Sequence, residues 1–211
     1  MAKRSQSPEK KAQILEAAAT VLSQSGLQAL SFENVARNAG ISRQLLRYYY
    51  SDMDALMADM CDHLATVYQR MLVSGIVEIR EVERLDFFLD FFFGLTEGHP
   101  MPPHLEAYDS MVAYSVGSDV VRDRMRTQYQ TLGQVIVHEL AITHPQLSPA
   151  ACEELSYLFV SMMHAHWSFV STLGYTADHG RLARRAIDQL IQSYLATPQP
   201  ATLEKPWRRD G

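Results

Sequence analysis

With 211 residues, 47% of them hydrophobic and 20% charged, the chain is large enough for one substantial apolar core or for a small module beside a larger one, which excludes a disordered, fibrous or staple-dependent polypeptide. The net charge of −5 hides an asymmetry. Lys3, Arg4, Lys10, Lys11, Arg37, Arg43 and Arg47 against Glu9, Glu16 and Glu33 give the first fifty residues +4 and leave −9 for the rest, a basic head on an acidic body that would turn one end toward a polyanion.

No apolar stretch follows the basic opening residues, so no export signal is expected. The most apolar segment, Phe87 to Leu95, contains Asp90 and is about half as long as the ~20 residues a bilayer-spanning helix needs. Two cysteines, Cys61 and Cys152, among ten methionines fit a reducing compartment. A cytoplasmic protein that does not enter a membrane is the expectation.

Apolar residues recur at three and four, alternating runs are absent, and Gly and Pro fall between the periodic segments, so an all-α fold is predicted. The first helix begins with Ser7 as N-cap and Pro8 at its first position, buries Ile14, Leu15, Ala18, Val21 and Leu22, and stops at Gly26. A second, short helix starts at Ser31 and buries Phe32, Val35 and Ala36 before Asn38-Ala39-Gly40 breaks it. Ser42 caps a third carrying Leu45 and Leu46. Ser51 and Asp54 read as a capping box opening a fourth, with Leu56, Met60, Leu64, Val67 and Met71 on one stripe toward Gly75.

Beyond it, Leu85, Phe88, Leu89 and Phe92, widened by Phe87 and Phe91, predict a helix buried on most sides, with Glu83, Asp86 and Asp90 as its polar strip. His99-Pro100-Met101-Pro102-Pro103 must be a loop. A helix bearing Tyr108, Met111 and Tyr114 follows. Ser118 caps the next, which ends before Pro145. Ser148-Pro149 opens a long helix reaching Gly174, and a last one spans about Ala177 to Leu195 with Leu182, Ile187 and Leu190. The tail, 197–211, is expected to be mobile.

Two short helices joined by a tight turn at Gly40, after a supporting helix, are the parts of a helix-turn-helix. The second helix of that device lies in the major groove and needs side chains that reach base edges and phosphates. Ser42, Arg43, Gln44, Arg47, Tyr48 and Tyr49 form such a face, with Ile41, Leu46 and Tyr50 beneath. Arg pairs with guanine O6 and N7, Gln with adenine N6 and N7, and hydroxyls suit phosphate oxygens. An αα-hairpin with a polar outer surface would also satisfy this pattern.

These residues resemble the N-terminal pattern of TetR-type transcriptional regulators: Ile14-Leu15-Glu16-Ala17-Ala18, Gly26, Ser31-Phe32, Val35-Ala36, Ala39-Gly40-Ile41-Ser42, Leu46-Arg47-Tyr48-Tyr49-Tyr50 and Met53-Asp54-Ala55-Leu56. The match covers about the first 56 residues. Arg47 stands where the family has Tyr, Tyr49 where it has His, and Met53 where it has Lys. Met53 cannot supply an ammonium, and Arg47 restores the charge from one helix earlier. The resemblance implies Arg43, Gln44 and Leu45 as base-reading positions and Lys3, Lys11, Ser31, Ser42, Arg47, Tyr48 and Tyr49 as backbone contacts, on a pseudo-palindromic double-stranded operator. The Lys3-Arg4 arm could instead enter a minor groove.

It further implies a head at 1–52, and at 53–196 a helical domain that binds a small effector and forms a homodimer through its last two long helices. Ser161, Ala165, Ser168 and Thr172 share one stripe, where small residues let helices approach closely, within one subunit or between two. Phe88, Phe92, His104, Tyr108, Met111, Tyr114, Tyr129 and His166 could surround an apolar or aromatic effector, or belong to plain core.

Enzymatic alternatives find less in the residues. No glutamate has a histidine three positions later, as a di-iron bundle requires. His138-Glu139 meets its next histidine at His144, six positions on where four are needed. No Gly-rich phosphate loop occurs, and no catalytic residues, metal or cofactor are expected. Three classes stay open: a repressor released by a small molecule, an effector-independent or architectural DNA-binding protein, and a helical enzyme.

Overall fold

The computed structural model describes residues 7–77, 79–80, 83–197 and 205–207. Among them are nine α-helices and no strand: α1 (Pro8–Ser25), α2 (Phe32–Asn38), α3 (Arg43–Tyr49), α4 (Met53–Ile76), α5 (Arg84–Phe92), α6 (Leu105–Ser115), α7 (Asp119–Thr143), α8 (Pro149–Trp167) and α9 (His179–Ala196). Contacts divide the chain into two compact units, one comprising the chain up to Tyr68 together with Pro103–Arg126, the other Gln69–Pro102 with Thr127 onward.

In the first unit the short helices are delimited as the caps predict. Ser7, Ser31 and Ser42 each accept, on the hydroxyl oxygen, the backbone N–H three residues on, from Lys10, Asn34 and Leu45. Gly26, at φ 73°, ends α1 and returns its N–H to Leu22. At the turn between α2 and α3, Gly40 has φ 61° with nothing within 4 Å of where a Cβ would stand, so the dihedral and not crowding favours glycine. Gln13 of α1 donates to the Ala39 carbonyl at 2.7 Å and ties that turn to the supporting helix.

The start of α4 differs from expectation. Asp52, not Ser51, caps it: Oδ1 accepts from Ala55 N–H at 2.8 Å and Oδ2 from the Ser51 hydroxyl at 2.8 Å. These two bonds hold the Asp52 carboxyl below its usual range. Asp54 instead accepts from Tyr114 at 2.6 Å and Ser118 at 2.8 Å, joining α4 to α6 and to the start of α7. Burial, and then this carboxylate, push the Tyr114 phenol up. Beneath, Cys61 donates to the Met111 sulfur, Tyr68 stacks on Tyr108 at 5.4 Å, and the Tyr68 hydroxyl donates to the Pro103 carbonyl. Burial, with Asp62 nearby, pushes the Cys61 thiol up to about 12.

The second unit is organised by α5. Leu85, Phe87, Phe88, Leu89, Phe91 and Phe92 are buried, as is Phe93 just beyond. Each phenylalanine contributes about 1.5–3 kcal/mol of transfer free energy, set against the ordering of its side chain. Phe92 and Phe93 meet Phe159 of α8, and Trp167 donates its indole N–H to the Phe92 carbonyl at 2.9 Å. The polar strip of α5 is not solvated alone: Arg184 of α9 pairs with Asp86 and Asp90 and with its own neighbour Asp188. α8 passes into a π-helical turn, Ser168–Thr172, before Gly174 ends it. In α9, Ile187 and Ile191 are buried, whereas Leu182 is 54% exposed.

The tail also departs from expectation at one point. Trp207 is seated over Gly133, where a Cβ would come within 2.4 Å of the indole, and donates to the Ser156 hydroxyl at 3.1 Å. An indole with a satisfied N–H is anchored, while residues 198–204 and 208–211 lie outside the described set.

Two substitutions test these junctions. A Cβ at Gly180 would stand 2.3 Å from the Phe93 carbonyl oxygen, so Gly180→Ala, favourable by helix propensity, should destabilise the protein by about 1–3 kcal/mol in urea unfolding. Asp52→Ala should lower the melting temperature more than Ser51→Ala; the reverse order would restore Ser51 as the cap.

Candidate nucleic-acid interface

The second short helix of the head, α3, is only seven residues long and is seated by two side chains, Leu46 at 0% and Tyr50 at 3% exposure. Apart from Tyr49, the rest of the helix faces outward. Ser42, Arg43, Gln44, Arg47 and Tyr48 are exposed, Leu45 is 37% exposed, and Tyr49 is half-buried. The expected base-reading triad therefore occupies the accessible first turn, where a helix entering a groove meets base edges.

The positioning residues are less uniform. Arg47 lies over the Phe32 ring at 5.1 Å, which holds its charge on the α2 side of α3. The Tyr49 hydroxyl accepts from the Ser7 backbone N–H at 3.3 Å and its ring meets Tyr48 edge-on, so Tyr49 braces the start of α1, while Tyr48 is 51% exposed. Lys11 is engaged: its ammonium pairs with Asp59 of α4 at 2.7 Å. Asp59 and, to a greater degree, burial push the neighbouring Tyr50 phenol up. The hydroxyls of Ser31 and Ser42 serve their own helices as caps and keep lone pairs and a proton to spare. Lys3 lies outside the described residues.

One cation counted in the basic head was given no contact role from the sequence. Arg37, on the last turn of α2, is exposed and anchored by Asn34, whose amide in turn donates to the Ala29 carbonyl. Its sequence signals were its share of the head's positive charge and its place just before the Asn-Ala-Gly break.

The eight residues expected around an effector are distributed as follows. An open cavity of about 720 Å³ in the second unit is lined by Phe88 among them, beside Ile76, Arg84, Gln130, Gln134, Val135 and His138. Phe92 is in the aromatic core, Tyr129 is bonded to His164 at 2.8 Å, and His166 is edge-on to Phe93, with burial holding its imidazole below the usual range. His104, Tyr108, Met111 and Tyr114 belong to the first unit and are held there by Glu16, Tyr68, Cys61 and Asp54.

Along α8 and its π turn, Ser161, Ala165 and Thr172 are exposed and Ser168 is half-buried. Ser161 and Ser168 donate back to carbonyls four residues earlier, at Tyr157 and His164, which turns their hydroxyls onto their own helix. Tyr157, Phe169, Leu173 and, on α9, Leu182 add exposed apolar surface at 43%, 52%, 61% and 54%. Among the described residues no helix is long and apolar enough to cross a membrane, and no group of His, Cys, Asp and Glu is arranged to hold a metal ion.

Residues 14–60 match the pattern of the bacterial regulatory proteins of the tetR family. No curated protein matches the chain significantly. The fold is shared with many solved structures. A TetR-family transcriptional regulator from Rhodococcus sp. superposes with a TM-score of 0.70 at 19% identity, over 88% of this chain and 100% of the other. A transcriptional regulator from Saccharomonospora viridis, in complex with choline, gives 0.72 at 17% identity over 88% and 97%. The multidrug binding protein EbrR, complexed with imidazole, gives 0.61 at 20% identity over 93% and 99%.

Proposed function

We propose that this chain, whose residues 14–60 carry the tetR-family helix-turn-helix segment, is a homodimeric, sequence-specific transcriptional regulator: a repressor that leaves its operator when a small molecule occupies the helical body. The observation that carries this reading is the outward face of α3, where Arg43, Gln44, Arg47 and Tyr48 stand exposed on a helix seated by Leu46 and Tyr50. Arg43, Gln44 and Leu45 read bases. Ser31, Ser42, Arg47, Tyr48, Tyr49 and the Lys3 arm position the backbone, and Arg37 joins them from α2. Lys11 contributes less than a free ammonium would, because a phosphate must compete with Asp59.

In this reading the head is 1–52, the effector and dimer domain 53–196, and the tail 197–211. The dimer forms through the Ser161, Ala165, Ser168 and Thr172 face of α8 with α9, where small side chains are flanked by exposed apolar ones. Two-fold symmetry then sets two copies of α3 on successive major grooves about 34 Å apart, which requires a pseudo-palindromic site. The effector lies on Phe88, Ile76 and Val135, an apolar floor suited to an aromatic or alkyl group, with Gln130, Gln134 and His138 to orient it. The similar proteins bound to choline and to imidazole show that this fold accepts small molecules in other chains. Release follows by linkage: an effector that prefers a conformation with misplaced recognition helices weakens DNA binding by its differential affinity for the two states.

Selection of duplexes from a randomised pool by the full chain, followed by titration at several salt concentrations, tests the reading. Arg43→Ala should cost about 1–3 kcal/mol at its own base pair and relax preference there, whereas Arg47→Ala should weaken all duplexes alike and reduce the salt slope by about 1. No preference for any duplex over competitor DNA overturns the function. Ala165→Glu should convert the dimer to monomers in sedimentation; an unchanged dimer would place the interface elsewhere.

A further inference from the structure

Among the described residues outside glycine, His104 alone has a positive φ, 62°, and it stands as the N-cap of α6 directly after Pro102-Pro103. Its side chain makes no cap bond, and glycine or asparagine would meet that backbone with less strain. The imidazole is held by α1 instead. Its Nε2 is 2.7 Å from Glu16 Oε1 and its Nδ1 is 3.2 Å from the Ser23 hydroxyl. The other oxygen of the same carboxylate, Oε2, is 3.3 Å from Nε2 of His63 on α4. One carboxylate of the head thus holds two imidazoles from two further helices, all within the first unit.

We propose that Glu16, His63 and His104 form a proton-loaded clasp that fixes the start of α6 to the first helix of the DNA-binding head, and that duplex binding is tighter while the clasp is charged. The inference rests on the regulator reading only where duplex affinity is the readout.

With both imidazoles neutral the clasp persists as hydrogen bonds, since each Nε2–H donates to Glu16 and the Ser23 hydroxyl can donate to His104 Nδ1. Protonation makes the bonds to Glu16 charge-assisted and stronger. The added hold is therefore present while the imidazoles carry the extra proton and fades as they lose it with rising pH. Partial burial raises the Glu16 carboxyl, but hydrogen bonds from His104 and His63, and their charge, outweigh it and keep the group below its usual range. Glu16 is therefore ionised at neutral pH, and its own contribution is lost only as pH falls through that lowered value.

The other charges on these elements are Glu9 and Lys10 on α1, Lys11 with Asp59 across α1 and α4, Asp54 and Arg70 on α4, Asp62 of α4 with Arg124 of α7, and Glu106 and Asp109 on α6. The Lys11–Asp59 and Asp62–Arg124 pairs are internally balanced, and the α6 carboxylates also favour imidazolium. A head held firmly loses less orientational freedom on docking, which is why a charged clasp favours the duplex.

Melting of the full chain at pH 6 and pH 8 decides the clasp. Wild type should exceed Glu16→Gln by more at pH 6 than at pH 8. His104→Asn, which accepts the left-handed backbone, should keep only the part of that pH dependence that His63 supplies. An equal deficit of Glu16→Gln at both pH values overturns the clasp, as does a His104→Gly protein more stable than wild type with the wild-type pH profile, because His104 would then matter only as backbone. For the head, affinity for a duplex selected by the wild-type chain should fall from pH 6 to pH 8 by a factor on the order of five more than that of Glu16→Gln. Equal slopes overturn the coupling. Failure to select any duplex overturns the regulator reading, while the melting arm still decides the clasp.

Discussion

A helix of two turns has no stability of its own in water, and α3 is such a helix. It persists because Leu46 and Tyr50 are withdrawn from solvent beneath it, Ser42 closes its first turn, and Gly40 adopts the left-handed conformation that lets the chain double back. The same requirement explains its exposed face. Leu46 within it and Tyr50 just beyond it do the seating, so the exposed positions carry other chemistry: two cations, an amide and a phenol. The seat extends through Gln13 and Asn34, which lend side-chain amides to carbonyls around the short helices, so the head's rigidity is distributed over α1 and α2.

Local features of this architecture were legible in the residues. Ser7-Pro8, Ser31, Ser42 and Ser148-Pro149 announce helix starts because capping involves neighbours three positions apart, and Gly26 and Gly40 announce stops because only local dihedrals matter there. The resemblance of residues 14–56 rests on the same short-range pattern. What the sequence could not display were partners far away along the chain. Asp54 has the spacing of a capping box with Ser51, yet its oxygens are taken by Tyr114 and Ser118, leaving Asp52 to cap. Glu16 looks like an ordinary exposed helix residue until His104 comes beside it. Aromatic and Met side chains suggest a pocket and a core equally well, and of the eight named for a pocket, seven have specific neighbours elsewhere while Phe88 lines a cavity.

The second unit follows a different logic. Its core is crowded by consecutive phenylalanines, and close backbone approach is purchased with missing side chains: Gly75 under Phe87, Gly180 on the Phe93 carbonyl, Gly133 under Trp207. Such sites are invisible in a periodicity analysis, which counts apolar residues and not the absence of a Cβ. Trp207 shows the same limit, since a Pro-rich neighbourhood reads as loose chain although a single indole with a bonded N–H is enough to moor it.

Both cysteines are enclosed, and burial raises each thiol above its ordinary range, with Glu153 adding to the effect at Cys152. Thiolate is the form that attacks peroxides and electrophiles, so in the folded protein neither sulfur is primed to register oxidative or alkylating stress. Sulfhydryl reactivity then reports on the openings, local or global, that uncover these two sulfurs, a built-in clock for how often their surroundings come apart.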